Sequence, residues 1–146
     1  MKLRQLITAI AIIAVVASCT SKKDLSNKLV GKWSGNDSIE LTMIDSAGNT
    51  VIQEFIAPIE IEYLADSTFT AVITVTENKI VKIGGVATFA DSTAMLTGSL
   101  SCQIMLNLTG QMSLNEDEIL SFKYRAENSS EGLFHNGVAV ATRVKK

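Results

Sequence analysis

The sequence predicts an all-β, antiparallel domain, on three observations. From Leu29 onward apolar residues recur with a period of two. Clusters of Asp, Ser, Asn and Gly interrupt that alternation at intervals suited to turns. No segment of the domain sustains ten residues of helical period.

The domain opens at Leu29-Val30-Gly31-Lys32-Trp33. Ile39, Leu41 and Met43 then alternate with Glu40 and Thr42, the pattern of a strand with one wet face. Asp45 to Asn49 is a turn. Phe55, Ala57, Ile59, Ile61 and Tyr63 form the next inner face, with Glu54, Glu60 and Glu62 opposite. Pro58 falls on the outer set and marks an edge, bulge or bend, because it has no N–H to donate to a ladder. Asp66-Ser67 turns the chain into Phe69, Ala71, Ile73 and Val75. Glu77-Asn78-Lys79 leads on to Val81, Ile83, Ala87 and Phe89, with Gly84-Gly85 the expected bulge or kink.

After Asp91-Ser92 the longest alternation runs from Ala94 to Leu108. It exceeds a common strand, so it is one bent strand or two joined near Gly98. Met112 and Leu114 follow, Asn115 to Glu118 turns, and Leu120, Phe122 and Tyr124 alternate with Ser121, Lys123 and Arg125. A loop from Glu127 to Gly132 leads to a last strand, Leu133–Val144, interrupted at Asn136-Gly137. About eight to ten strands result, and a sheet of that size must curl, split or close. An up-and-down β-barrel and a two-layer β-sandwich both satisfy the pattern.

Ahead of the domain, Met1-Lys2-Leu3-Arg4 precedes an apolar run from Leu6 to Ala17 that ends in Val16-Ala17-Ser18-Cys19. The run is about 12 residues long where a membrane span needs roughly 20, and its basic start and small-residue end fit a secretory signal. Val-Ala-Ser-Cys resembles the lipobox of bacterial lipoproteins. That resemblance implies removal of residues 1–18, lipidation of Cys19 and attachment to the membrane through that lipid. Thr20 after the cysteine, where inner-membrane retention typically has Asp, points to the outer membrane and leaves its face open. Residues 19–28 are then the lipidated cysteine and a polar tether reaching about 30 Å. Residues 29–146 are one β-domain, large enough to bury a core without staples.

Thirteen basic residues, less Lys2 and Arg4, against 15 acidic ones leave the mature chain acidic by about 4 charges. With no basic face or aromatic–arginine cluster, nucleic-acid binding has no support. With Cys19 lipidated, Cys102 has no disulfide partner; between Leu100 and Ile104 it is expected to be a buried, inert thiol. His135, the sole histidine, stands beside Asn136-Gly137 and is expected in a solvated turn. No metal-ligand set, cofactor motif or nucleophilic triad can be assembled, so a non-enzymatic role is expected.

Gly31-Lys32-Trp33 resembles the Gly-x-Trp that opens the first strand of lipocalins and related calycins. The family's second motif, Thr-Asp-Tyr, is absent from this chain. The resemblance implies a cup-shaped barrel whose apolar interior takes a small hydrophobic ligand. It also implies a late arginine lying across the tryptophan to close one end, the place Arg143 would fill against Trp33. Leu100 and Phe122 are the candidate wall residues for a ligand.

Four of the six aspartates precede serine, at Ser38, Ser46, Ser67 and Ser92. All four pairs are expected in turns, since Asp and Ser both bond locally to the backbone. Followed by Ile, Ala or Thr, they also resemble the sequon of a general O-glycosylation system of some Gram-negative anaerobes. Two functions remain: a module binding a small hydrophobic ligand, or a lipid-held subunit with a filled core that docks on an outer-membrane protein complex.

Overall fold

The computed structural model describes residues 24–90 and 92–146; the expected signal sequence and Cys19 lie outside the described residues. Eight strands form the domain: β1 (Gly31–Ile44), β2 (Thr50–Tyr63), β3 (Thr68–Thr76), β4 (Lys79–Ala90), β5 (Thr93–Ser101), β6 (Met105–Leu114), β7 (Leu120–Asn128) and β8 (Leu133–Arg143). Each pairs antiparallel with the next, and β8 returns to pair with β1 from Trp33↔Arg143 to Thr42↔Phe134. The sheet is therefore a closed up-and-down barrel, and the sandwich alternative falls.

Closure follows from the alternation. On every strand one parity is buried and the other is mostly exposed, so rolling the sheet puts eight apolar rows into one interior. Trp33, Ile59, Ile73, Leu96, Leu108 and Phe122 are among the fully buried side chains that fill it. Phe122 meets Phe69 edge to face at 6.0 Å between ring centres. Small residues set the corners. Gly85 lies opposite Gly98 in the β4–β5 ladder, and a Cβ on Gly98 would come within 2.7 Å of the Gly85 Cα, so the two neighbouring strands approach closely there.

One barrel end is shut. Residues 24–29 are helical, with Leu29 sealed and Leu25 nearly so. The expected flexible tether thus ends at or before residue 24, because those leucines four apart share a helix face that packs on the barrel. The Trp33 indole N–H donates to the Leu29 carbonyl at 2.9 Å. The Arg143 guanidinium lies 4.4 Å from the Trp33 ring centre and donates to the Val30 carbonyl at 2.7 Å and to the Lys28 carbonyl.

Several local expectations change. The run from Ala94 to Leu108 is the β5–β6 hairpin, turning at 102–104 rather than near Gly98. Its loop has an odd number of residues, so Leu100 and Leu106 face each other with the same parity and the alternation passes through the turn unbroken. Cys102 therefore sits exposed in the turn, not buried in a strand. Gly84-Gly85 makes no bulge; the register shift lies between Thr74 and Thr76. Asn136-Gly137 does not interrupt β8, and Asp37-Ser38 lies inside β1 rather than in a turn.

The end opposite the helix is open. β2 pairs with β3 only from Ile59↔Ile73 to Tyr63↔Phe69, while it pairs with β1 along its whole length. Pro58 stands one residue beyond the last β2–β3 pair, where its missing N–H breaks no ladder. Above it β2 has no β3 partner and runs on beside β1 alone.

Candidate ligand-binding site

The open end is ringed by the β1–β2, β3–β4, β5–β6 and β7–β8 connections. It holds a cavity of about 260 Å³. Leu41 and Met43 of β1, Phe55 of β2, Val75 of β3, Val81 of β4 and Leu133 of β8 supply its apolar walls. Phe55 lies on the stretch of β2 that has no β3 partner. Lys79, at the start of β4, and Cys102 and Gln103 of the β5–β6 turn also line the cavity. A further hollow of about 260 Å³ at the closed end, lined by Lys32, Glu60, Glu62 and Thr70 among others, lies against the exposed parity of the strands.

One polar side chain lines the cavity from below. His135 keeps only 5% of its surface exposed, and its Nε2 lies 3.0 Å from the Tyr124 hydroxyl. That hydroxyl donates to Asp37 Oδ2 at 2.5 Å. Asp37 is fully buried, and its Oδ1 has no hydrogen-bond partner among the described residues. The three residues come from β7, β8 and β1, and the local sequence explains how they meet. Tyr124 is the register partner of Gly137, where a Cβ would lie 2.2 Å from the tyrosine ring. The ring therefore crosses β8 over the one residue that leaves it room. It stacks on Phe122 at 4.8 Å and reaches Asp37, whose own register partners are the small residues Ala57 and Ala139.

Burial sets the charges. It lifts the Asp37 carboxyl to about 6, with the Tyr124 hydrogen bond pulling the other way. It lowers His135 to about 4 and, with the Asp37 charge, pushes the Tyr124 phenol far up. At neutral pH the chain is thus a carboxylate, a phenol and a neutral imidazole. A phenol has one proton, and the carboxylate takes it. Nε2 of His135 must then carry its own proton and donate to the Tyr124 oxygen, which leaves Nδ1 as a bare acceptor.

The residues singled out from the sequence fall in different places. Leu100 and Phe122 are fully buried in the filled interior and do not line the mouth, so they are not its walls. Trp33 and Arg143 meet at the closed end. Ser46, Ser67 and Ser92 lie in or beside turns, whereas Ser38 is exposed on the outer face of β1. His135 is buried rather than solvated, because it shares the inward parity of Leu133, Gly137 and Ala139. The sequence pattern alone assigns Asp37 and Tyr124 no chemical role. The signal was present: Asp37 shares the parity of Trp33, Ile39 and Leu41, which marks an acid aimed inward.

Among the described residues no three His, Cys, Asp or Glu side chains converge as a metal site would require. No protein-family model matches the chain, and no curated protein matches it significantly.

Proposed function

We propose that the protein is a lipid-anchored bacterial envelope protein whose barrel mouth binds a small apolar molecule without transforming it. The observation that carries this reading is the open, apolar cavity of about 260 Å³ above an otherwise filled barrel. Burying a ligand there gains about 25 cal/mol for each Å² removed from water. The lipobox resemblance at Cys19 would hold the mature chain on the outer membrane, and the Gly-x-Trp resemblance to lipocalins agrees with an up-and-down barrel of this use.

The test is saturable binding of a small environment-sensitive fluorophore to the full chain held in lipid nanodiscs, with empty nanodiscs as blank. Leu133→Glu and Val75→Glu should each abolish it, and Val138→Glu, on the exposed face of β8, should not. No saturable signal, or equal loss in all three variants, removes the reading.

A second reading rests on a different observation. Ile52 and Ile56 are 60% and 71% exposed on the stretch of β2 that has no β3 partner, an edge onto which a strand of an outer-membrane protein could add. Cross-linking from position 52 that captures one defined envelope protein in cells, together with an empty mouth, would favour it.

A further inference from the structure

We propose that the molecule accepted by the mouth is uncharged and carries a hydrogen-bond donor, the hydroxyl of an alcohol or a phenol, which it delivers to Nδ1 of His135. This inference rests on the binding reading above and names the chemical class that the site selects. Its ground is the direction of the chain Asp37–Tyr124–His135. Asp37 accepts from Tyr124, Tyr124 accepts from Nε2 of His135, and the order leaves an acceptor on the residue that lines the cavity. Nδ1 has no protein partner among the described residues, on a side chain more than nine-tenths buried. An apolar ligand without a donor would seal that nitrogen away from water unpaired, which costs binding.

Charge narrows the class. A carboxylate head would enter a barrel that already holds the Asp37 carboxylate, whose register partners Ala57 and Ala139 offer no cation. Lys79 at the rim would attract a carboxylate, but a carboxylate has no proton to give Nδ1; an ammonium head has one but would give up its hydration among the apolar walls. A neutral hydroxyl meets neither obstacle.

The chain has a single histidine, so histidine labelled with ¹⁵N in the ring alone gives two imidazole signals and nothing else. The experiment titrates the labelled full chain in nanodiscs with 4-propylphenol, its methyl ether 4-propylanisole, and 4-propylbenzoate. The expected result is phenol bound roughly tenfold tighter than the ether, with an upfield move of the Nδ1 signal for phenol alone. His135→Phe, which keeps a ring and removes the acceptor, should bring phenol and ether level. Equal binding of phenol and ether with a static Nδ1 signal would overturn the inference and leave the cavity reading standing. Benzoate binding most tightly would overturn it too. Binding of none of the three would overturn both.

Discussion

Tyr124 reaches across β8 to hold Asp37, hydroxyl to carboxylate at 2.5 Å, joining two residues 87 positions apart in the interior of the barrel. It supplies the only hydrogen bond to the Asp37 side chain among the described residues. Removing the donor while keeping the ring should leave a buried carboxylate with none. Tyr124→Phe is expected to cost about 3 kcal/mol of stability at neutral pH. Asp37→Asn in the same background should recover most of that loss. Urea unfolding of the two variants and the pair measures both figures. Additive losses would show that the two side chains do not depend on each other.

Opposite proton linkages meet in this cluster. Asp37 titrates near 6 when folded against 3.8 in the unfolded chain, so its contribution is present below 3.8 and is lost as pH rises to 6. His135 titrates near 4 against 6.5, so its contribution is present above 6.5 and is lost as pH falls to 4. Each amounts to about 3 kcal/mol. The wild type should therefore show little net slope from this cluster between pH 4 and 6. His135→Phe should grow more stable as pH falls across that window, and Asp37→Asn less stable. Unfolding free energies at closely spaced pH values test the two slopes; equal slopes in both variants would contradict the assignment.

The same titration should reverse the polarity of the cavity floor. Once Asp37 takes a proton it can donate to Tyr124, Tyr124 can donate to Nε2, and Nδ1 of a neutral His135 becomes a donor. Asp37 is surrounded by uncharged register partners, so Tyr124 and His135 are the titratable groups it meets. The advantage of 4-propylphenol over its ether should narrow between pH 7 and pH 5. Competition binding at the two values reads this directly, and an unchanged ratio would place the change of proton order elsewhere.

At the closed end, Arg143 combines stacking on Trp33 with bonds to two backbone carbonyls. A lysine keeps the charge but not the planar fork. Arg143→Lys should lower stability by about 1–2 kcal/mol, while Leu29→Ala, which empties a sealed position, should cost about 2–5 kcal/mol. Thermal unfolding separates the two, and an Arg143→Lys variant as stable as the parent would show the fork to be idle.

The barrel was largely legible because period-two alternation is a backbone property that every strand repeats. Where it misled, the reason is geometric. An odd-numbered hairpin loop preserves parity, so Ala94 to Leu108 looked continuous and Cys102 looked internal. Asn136-Gly137 has the composition of a turn, yet in β8 the glycine is the gap that Tyr124 occupies. Asp37 was hidden by the same habit: Asp-Ser signals a turn locally, and only the parity running back to Trp33 shows that it points inward. The early end of the β2–β3 ladder left one trace, Pro58, which stands where the pairing stops. The ligand-facing chemistry was not legible, because it depends on three residues from three strands meeting over one glycine.

The most direct measurement of the central claim is where a bound ligand sits. Intermolecular nuclear Overhauser effects from 4-propylphenol to the full chain in nanodiscs should connect its propyl group with the methyls of Val75, Val81 and Leu133 and leave Val138 and Ile56 untouched. Contacts confined to Val138 and Ile56, on the outer wall, would contradict a binding mouth.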